Sequence, residues 1–90
     1  YKKPVYVTES GIADESDEKR ANFIRQHLYW VLKAINFGTD VRGYFYWSLT
    51  DTYEWEFGFG PKYGLVAIDL ETQNRRIRES SRVLKEISFK

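Results

Sequence analysis

Two short runs rich in β-branched and aromatic residues, 4–8 (Pro-Val-Tyr-Val-Thr) and 41–47 (Val-Arg-Gly-Tyr-Phe-Tyr-Trp), flank one helix-length stretch, and that order limits the fold sharply. Between them Ile24, Leu28, Val31, Leu32 and Ile35 recur at helical spacing, and Gly38 follows as a stop, so a helix is predicted over residues 16–36. Asp14, Glu15, Asp17 and Glu18 crowd its start, where the positive end of the helix dipole favours acids, and Asp14 or Ser16 is a candidate cap. Two strands joined through a helix of this length form a right-handed parallel β-α-β unit. Two parallel strands cannot by themselves make a sheet covered on both faces. The expectation is therefore a slice of a larger α/β sheet or barrel.

Gly43 within the second strand marks a bend or a close backbone approach, and beyond that strand a glycine-bearing loop carries Gly58, Gly60, Pro61 and Gly64. Residues 65–69 read as a short extra strand, 71–74 as a turn, and a last helix starts at Ser80 or Ser81 and runs through Val83, Leu84 and Ile87. Arg75, Arg76 and Arg78 form a small basic run, read as a solvated strand or helix start. His27, alone within the long helix, is read as a surface or packing residue.

Composition excludes several function classes. The 14 basic and 13 acidic residues leave a net charge of +1, so no basic field attracts nucleic acid or anionic membrane. The apolar stretches fall far short of the roughly 20 residues that span a bilayer. With no cysteine, one histidine and no clustered ligand set, neither a disulfide framework nor a metal site is expected, and no cofactor. The chain begins at Tyr1 and contains no methionine, which suits a piece of a longer protein.

The unusual quantity is an aromatic content of 18% in a chain that is 30% charged. Tyr44, Phe45, Tyr46, Trp47, Tyr53, Trp55, Phe57, Phe59 and Tyr63 are interleaved with Asp51, Glu54 and Glu56. Rings beside carboxylates suit a sugar, whose C–H faces stack while its hydroxyls donate to acid oxygens. The same residues also fit a buried cluster around a hairpin. Glu9, at the end of the first strand, is placed where α/β barrels put their catalytic groups, although a loop glutamate equally serves as a surface or capping residue.

Two stretches carry a resemblance that narrows these alternatives. Residues 6–11, Tyr-Val-Thr-Glu-Ser-Gly, resemble the Thr-Glu-Asn-Gly motif around the nucleophile of glycoside hydrolase family 1. Residues 47–55, Trp-Ser-Leu-Thr-Asp-Thr-Tyr-Glu-Trp, with Gly-Phe-Gly-Pro-Lys-Tyr-Gly-Leu at 58–65, resemble the family's Trp-Ser-Leu-x-Asp-Asn-Phe-Glu-Trp block and the glycine-aromatic stretch behind it. The resemblance implies an α/β fold, the last two β/α units of a (β/α)8 TIM barrel from strand 7 to helix 8, with residues 1–90 forming the C-terminal part of one catalytic domain. It implies Glu9 as the nucleophile of a retaining β-glycosidase and Trp47 as the platform under the sugar. By the same resemblance, Glu54 accepts the 4- and 6-hydroxyls, Trp55 reaches the 3-hydroxyl through its indole N–H, and Tyr63 lies near the 6-position.

Asp51 matches the motif too, but a loop-bracing hydrogen bond is the role expected of it. Ser10 and Thr52 stand where the family usually has Asn, and Ile77 where many members have Pro; none of these removes a catalytic carboxylate. The family's phospho-sugar specialists carry serine where Glu54 stands, so Glu54 points to an unphosphorylated sugar. The acid/base glutamate belongs to an Asn-Glu-Pro motif absent from this chain, which is therefore expected to be inactive alone. The implied partners are a β-glycoside or oligosaccharide substrate and the remainder of the barrel, and the implied location is cytoplasmic; self-association into a homo-oligomer stays open. The reading from another class is a non-catalytic carbohydrate-binding or interaction module built on the aromatic hairpin.

Overall fold

The computed structural model describes residues 2–88. Strand β1 (Val5–Ser10) and strand β2 (Val41–Tyr46) pair in parallel and are joined by helix α1 (Arg20–Asn36). β1 extends two residues past the predicted stretch, so Glu9 lies inside its last turn of pleat. The ladder begins with the Val5 N–H donating to the Asp40 carbonyl at 2.8 Å and closes with the Trp47 N–H donating to the Ser10 carbonyl at 2.9 Å. Its register shifts twice, once between Val5 and Tyr6, where Gly43 lets the Tyr6 ring lie against β2, and once between Val7 and Ser10.

The end of α1 matches the expectation. Gly38, at φ +100°, adopts a conformation costly for any residue with a Cβ, and the N–H groups of Gly38 and Thr39 close on the Ile35 and Ala34 carbonyls. Its start does not. The helix begins at Arg20, four residues after the predicted position, and its first turn holds no acid. The acids serve the loop before it instead. Asp14 accepts from Ser16 Oγ and from the Lys19 N–H, each at 2.8 Å, and Asp17 sits at φ +65°, which no helix tolerates.

A long segment follows β2 and contains a one-turn 3₁₀ helix (Trp55–Phe57), then strand β3 (Val66–Ile68) antiparallel to β4 (Arg75–Ile77), and finally helix α2 (Ser81–Ser88). The Asp69 carboxylate shapes the β3–β4 turn by accepting the Glu71 and Thr72 N–H groups at 2.9 and 3.0 Å. The core is small. Ile24, Leu65 and Val83 are its buried apolar residues, with Ala21, Phe23, Leu28, Tyr46 and Leu84 packed against them, so it lies where α1, α2 and the segment after β2 meet. Fully burying a side chain such as Ile24 stabilises by about 1.5–3 kcal/mol. The far end of the predicted stripe is uncovered: Leu32 and Ile35 are exposed, and between α1 and the sheet lies a cleft of about 390 Å³ walled by Val5, Val7, Trp30, Val31 and Tyr44.

Two arginines hold the segment after β2. Arg20 is fully buried and donates to Asp17 at 2.6 Å, to the Tyr46 hydroxyl at 3.1 Å, and to the carbonyls of Ile12, Asp14 and Lys62. Arg78 is also buried, which corrects the reading of residues 75–78 as a solvated basic run: Arg75 and Arg76 are exposed, but Arg78 forms an ion pair with Asp51 at 2.8 Å and donates to the Gly64 carbonyl at 2.7 Å. The three residues of β4 are all exposed, whereas Arg78, just past the strand, turns inward to Asp51.

Candidate active site

The register shift between Val7 and Ser10 sets three residues of β1 against two of β2, which changes which face the next side chain takes. Ser10 thereby turns to α1, where its Oγ lies 3.1 Å from His27 Nδ1; the His27 ring stacks on Phe23 with centroids 3.9 Å apart. Glu9, inside the shifted stretch, is exposed, and its carboxylate has no hydrogen-bond partner among the described residues. Tyr46 likewise turns to α1, its hydroxyl receiving from Arg20 and donating to the Tyr63 carbonyl at 3.2 Å. Trp47 follows directly, just past the end of β2.

The two strand ends are in contact through the backbone. A Cβ at Gly11 would lie 1.9 Å from the Trp47 carbonyl oxygen, so only glycine permits the turn after Glu9 to cross Trp47 this closely. The Trp47–Ser48 peptide bond is cis.

Trp47 then reaches the second carboxylate. Its indole Nε1–H donates to Glu54 Oε1 at 3.3 Å, and the Thr52 hydroxyl donates to the same oxygen at 2.8 Å. The backbone of Glu54 is held on both sides, its N–H donating to the Gly58 carbonyl at 2.7 Å and its carbonyl accepting the Phe57 N–H at 2.9 Å. Trp55 starts the 3₁₀ turn at φ +50°, a conformation uncommon for a bulky residue, and the residue is 84% exposed. Glu54, Trp55, Pro61 and Tyr63 line a cleft of about 410 Å³. Of the five expected site residues, then, three share one cleft, Trp47 is bonded to one of those three, and Glu9 stands at the adjoining strand end outside that cleft.

Asp51 has the bracing role expected of it. It accepts the Gly64 N–H at 3.0 Å and both Nη groups of Arg78, tying the start of the aromatic segment to its end. Burial by itself would push its carboxyl up, but these hydrogen bonds and the Arg78 charge prevail and hold it below the ordinary aspartate value. Asp17 is held low in the same way, with burial opposed by Ser80 and Arg20, and so is Asp14, with burial opposed by the Lys19 N–H and Ser16. The Tyr46 hydroxyl is pushed up by burial, which outweighs the lowering by Arg20.

The sequence reading passed over Arg20, took Arg78 for part of a solvated run, and named Thr52 only as a departure from the family motif. Arg20 left a signal, since a cation in the first turn of a helix opposes the dipole and needs another reason to be there. The Asp51–Arg78 pair spans 27 residues and left none. Among the described residues no group of three or more His, Asp or Glu side chains is gathered to hold a metal, and no helix is long and apolar enough to cross a membrane.

Fold and site together define an α/β protein with carboxylates and aromatic rings gathered at the carboxyl ends of parallel strands. The comparisons with known proteins specify it further. All of residues 1–90 match the model of Glycosyl hydrolase family 1. The chain is 48% identical over 84 residues to a beta-galactosidase of Saccharolobus solfataricus, covering 93% of this chain and 17% of that protein. It is 42% identical over 97 residues to a 6-phospho-beta-galactosidase of Clostridium acetobutylicum, covering 99% and 20%. The beta-glycosidase structure from Pyrococcus horikoshii superposes with a TM-score of 0.94 at 57% identity, over 98% of this chain and 21% of that one. The chain belongs to glycosyl hydrolase family 1, and it spans about a fifth of the length of the curated relatives it matches.

Proposed function

We propose that this chain is the strand 7 to helix 8 part of a (β/α)8-barrel retaining β-glycosidase that releases terminal, non-reducing β-D-glucosyl or β-D-galactosyl residues. The observation that carries the reading is the bond from the Trp47 indole to Glu54 beside the strand end that bears Glu9. An exposed carboxylate and an indole at adjoining strand ends suit a nucleophile and a stacking surface. Large apolar side chains left open on the strands and the loop support a continuing barrel: Tyr6 is 54%, Phe45 58% and Leu49 71% exposed. A free-standing module would leave such a surface to aggregate, so the same exposure weighs against the binding-module reading.

In the proposed mechanism a Glu9 oxygen attacks the anomeric carbon as the bond to the leaving oxygen breaks, and an acid from the rest of the barrel protonates that oxygen. The same group, now a base, takes a proton from water, which attacks the anomeric carbon and releases Glu9 as carboxylate. The geometry required is a second carboxyl about 5 to 5.5 Å from Glu9. Glu54 orients the sugar, and its charge would repel a sugar phosphate, which favours an unphosphorylated substrate.

The test is Glu9→Gly in the full-length enzyme with azide added. Loss of hydrolysis, with formation of a glycosyl azide inverted relative to the substrate, is the expected result. Hydrolysis at the unaltered rate would defeat the assignment.

A further inference from the structure

We propose that Thr52 is a positioning residue that sets sugar selectivity by fixing Glu54; this deepens the reading above and rests on it. A carboxylate offers about four lone-pair sites, two on each oxygen. On Glu54 both sites of Oε1 are taken, by the Thr52 hydroxyl at 2.8 Å and the Trp47 indole N–H at 3.3 Å. Oε2 accepts no hydrogen bond among the described residues. Glu54 is therefore a one-sided acceptor, with one oxygen anchored inward and the other open to hydroxyl donors of a sugar.

The anchor matters because the last torsion of a glutamate is broad and roughly two-fold, so the carboxylate plane is set by its partners and not by its own rotamer. The backbone bonds of Glu54 fix where the side chain starts, and they leave that plane free. Trp47 alone is a weak anchor: its bond is the longer of the two, and the residue is 38% exposed. Thr52, half-buried and two residues away on the same loop, supplies the shorter bond from a short, stiff side chain. The same bond indirectly holds the Trp47 ring, since the indole N–H is tied to the oxygen that Thr52 fixes. Thr52 in this way sets both the open oxygen and the tilt of the stacking surface.

The experiment compares a β-glucoside with the matching β-xyloside, which has the same ring without the 6-hydroxymethyl group, on the full-length enzyme. Thr52→Val keeps the shape and removes the donor. The expected result is a roughly five- to tenfold fall in the glucoside-to-xyloside ratio of kcat/KM, the scale of one charge-assisted hydrogen bond losing its alignment. The fall is expected mainly in KM for the glucoside, and Thr52→Ser, which keeps the hydroxyl, is expected to restore the ratio. A purely structural role would lower both substrates alike and leave the ratio unmoved, and that result, or failure of serine to restore it, overturns the proposal. Thr52→Ala is read in the same way should the valine variant not fold. Glu54→Gln separates the two levels: a ratio it does not change overturns the assignment of Glu54 itself, whereas a ratio moved by Glu54→Gln but not by Thr52→Val overturns the Thr52 inference alone.

Discussion

Over β1, α1 and β2 the backbone satisfies itself through a helix and a parallel ladder, and Ile24 of α1 is buried in the apolar core with Leu65 and Val83. Between Trp47 and Ser80 ladder bonds are few, and Arg20 and Arg78 take up carbonyls and carboxylates that no regular element satisfies. Yet the second region presents most of the candidate sugar contacts. Apolar packing is non-directional and tolerates sliding, whereas a guanidinium with five fixed donors specifies where each acceptor lies. Loops that must aim side chains outward are held here by the second means.

The contrast breaks most readily at Arg78. Replacing it by Met leaves the Asp51 carboxylate buried and unpaired, which should cost about 3–5 kcal/mol in denaturant unfolding of the full-length enzyme. Adding Asp51→Leu should recover part of that loss, and a single variant as stable as the parent would mean that the polar knot does not hold the segment. Gly11→Ala tests the junction between the regions. Its Cβ would overlap the Trp47 carbonyl oxygen, and a cost of about 1–3 kcal/mol with a larger loss of activity is expected, measured by thermal melt and glucoside hydrolysis.

Ile24→Val trims the apolar core instead. It should cost about 0.5–1.5 kcal/mol and leave the glucoside kcat/KM nearly unchanged. Arg42→Ala removes an exposed ion pair with Asp40 and should not measurably alter the unfolding midpoint.

Acid discriminates between the regions without mutation. Asp14, Asp17 and Asp51 have folded values below 3.8, so each contributes stability that is complete above that value and is lost as pH falls through its lower folded value. The loops that these three brace should therefore loosen first in acid. Tryptophan fluorescence, with Trp47 and Trp55 as reporters, should change at higher pH than the helix signal in circular dichroism. Coincident changes would show a single cooperative unit and remove the distinction.

What was legible follows periodicity and local chemistry. The parallel unit could be read because alternation and helical spacing are short-range patterns, and the Gly38 stop because its φ demands glycine. The start of α1 was misjudged because acids suited to a helix dipole are equally suited to capping a loop, and Asp17 was recruited by Ser80 from the far end of the chain at 2.6 Å. Arg78 was misread for a related reason: three neighbouring arginines look alike in sequence, and only a partner 27 residues away distinguishes the buried one.

The amino-acid order by itself determined the β-α-β unit, the placing of Glu9 and Trp47 at strand ends, and the motifs by which the family is known, since each depends on residues within a few positions of one another. Only the tertiary structure decided that Ser10 turns to His27, and that Glu54 has one oxygen held by Thr52 and Trp47. It also decided which arginine is buried. These outcomes depend on strand register and on the meeting of distant polar atoms, and a one-residue slip in register reverses the face of every side chain beyond it.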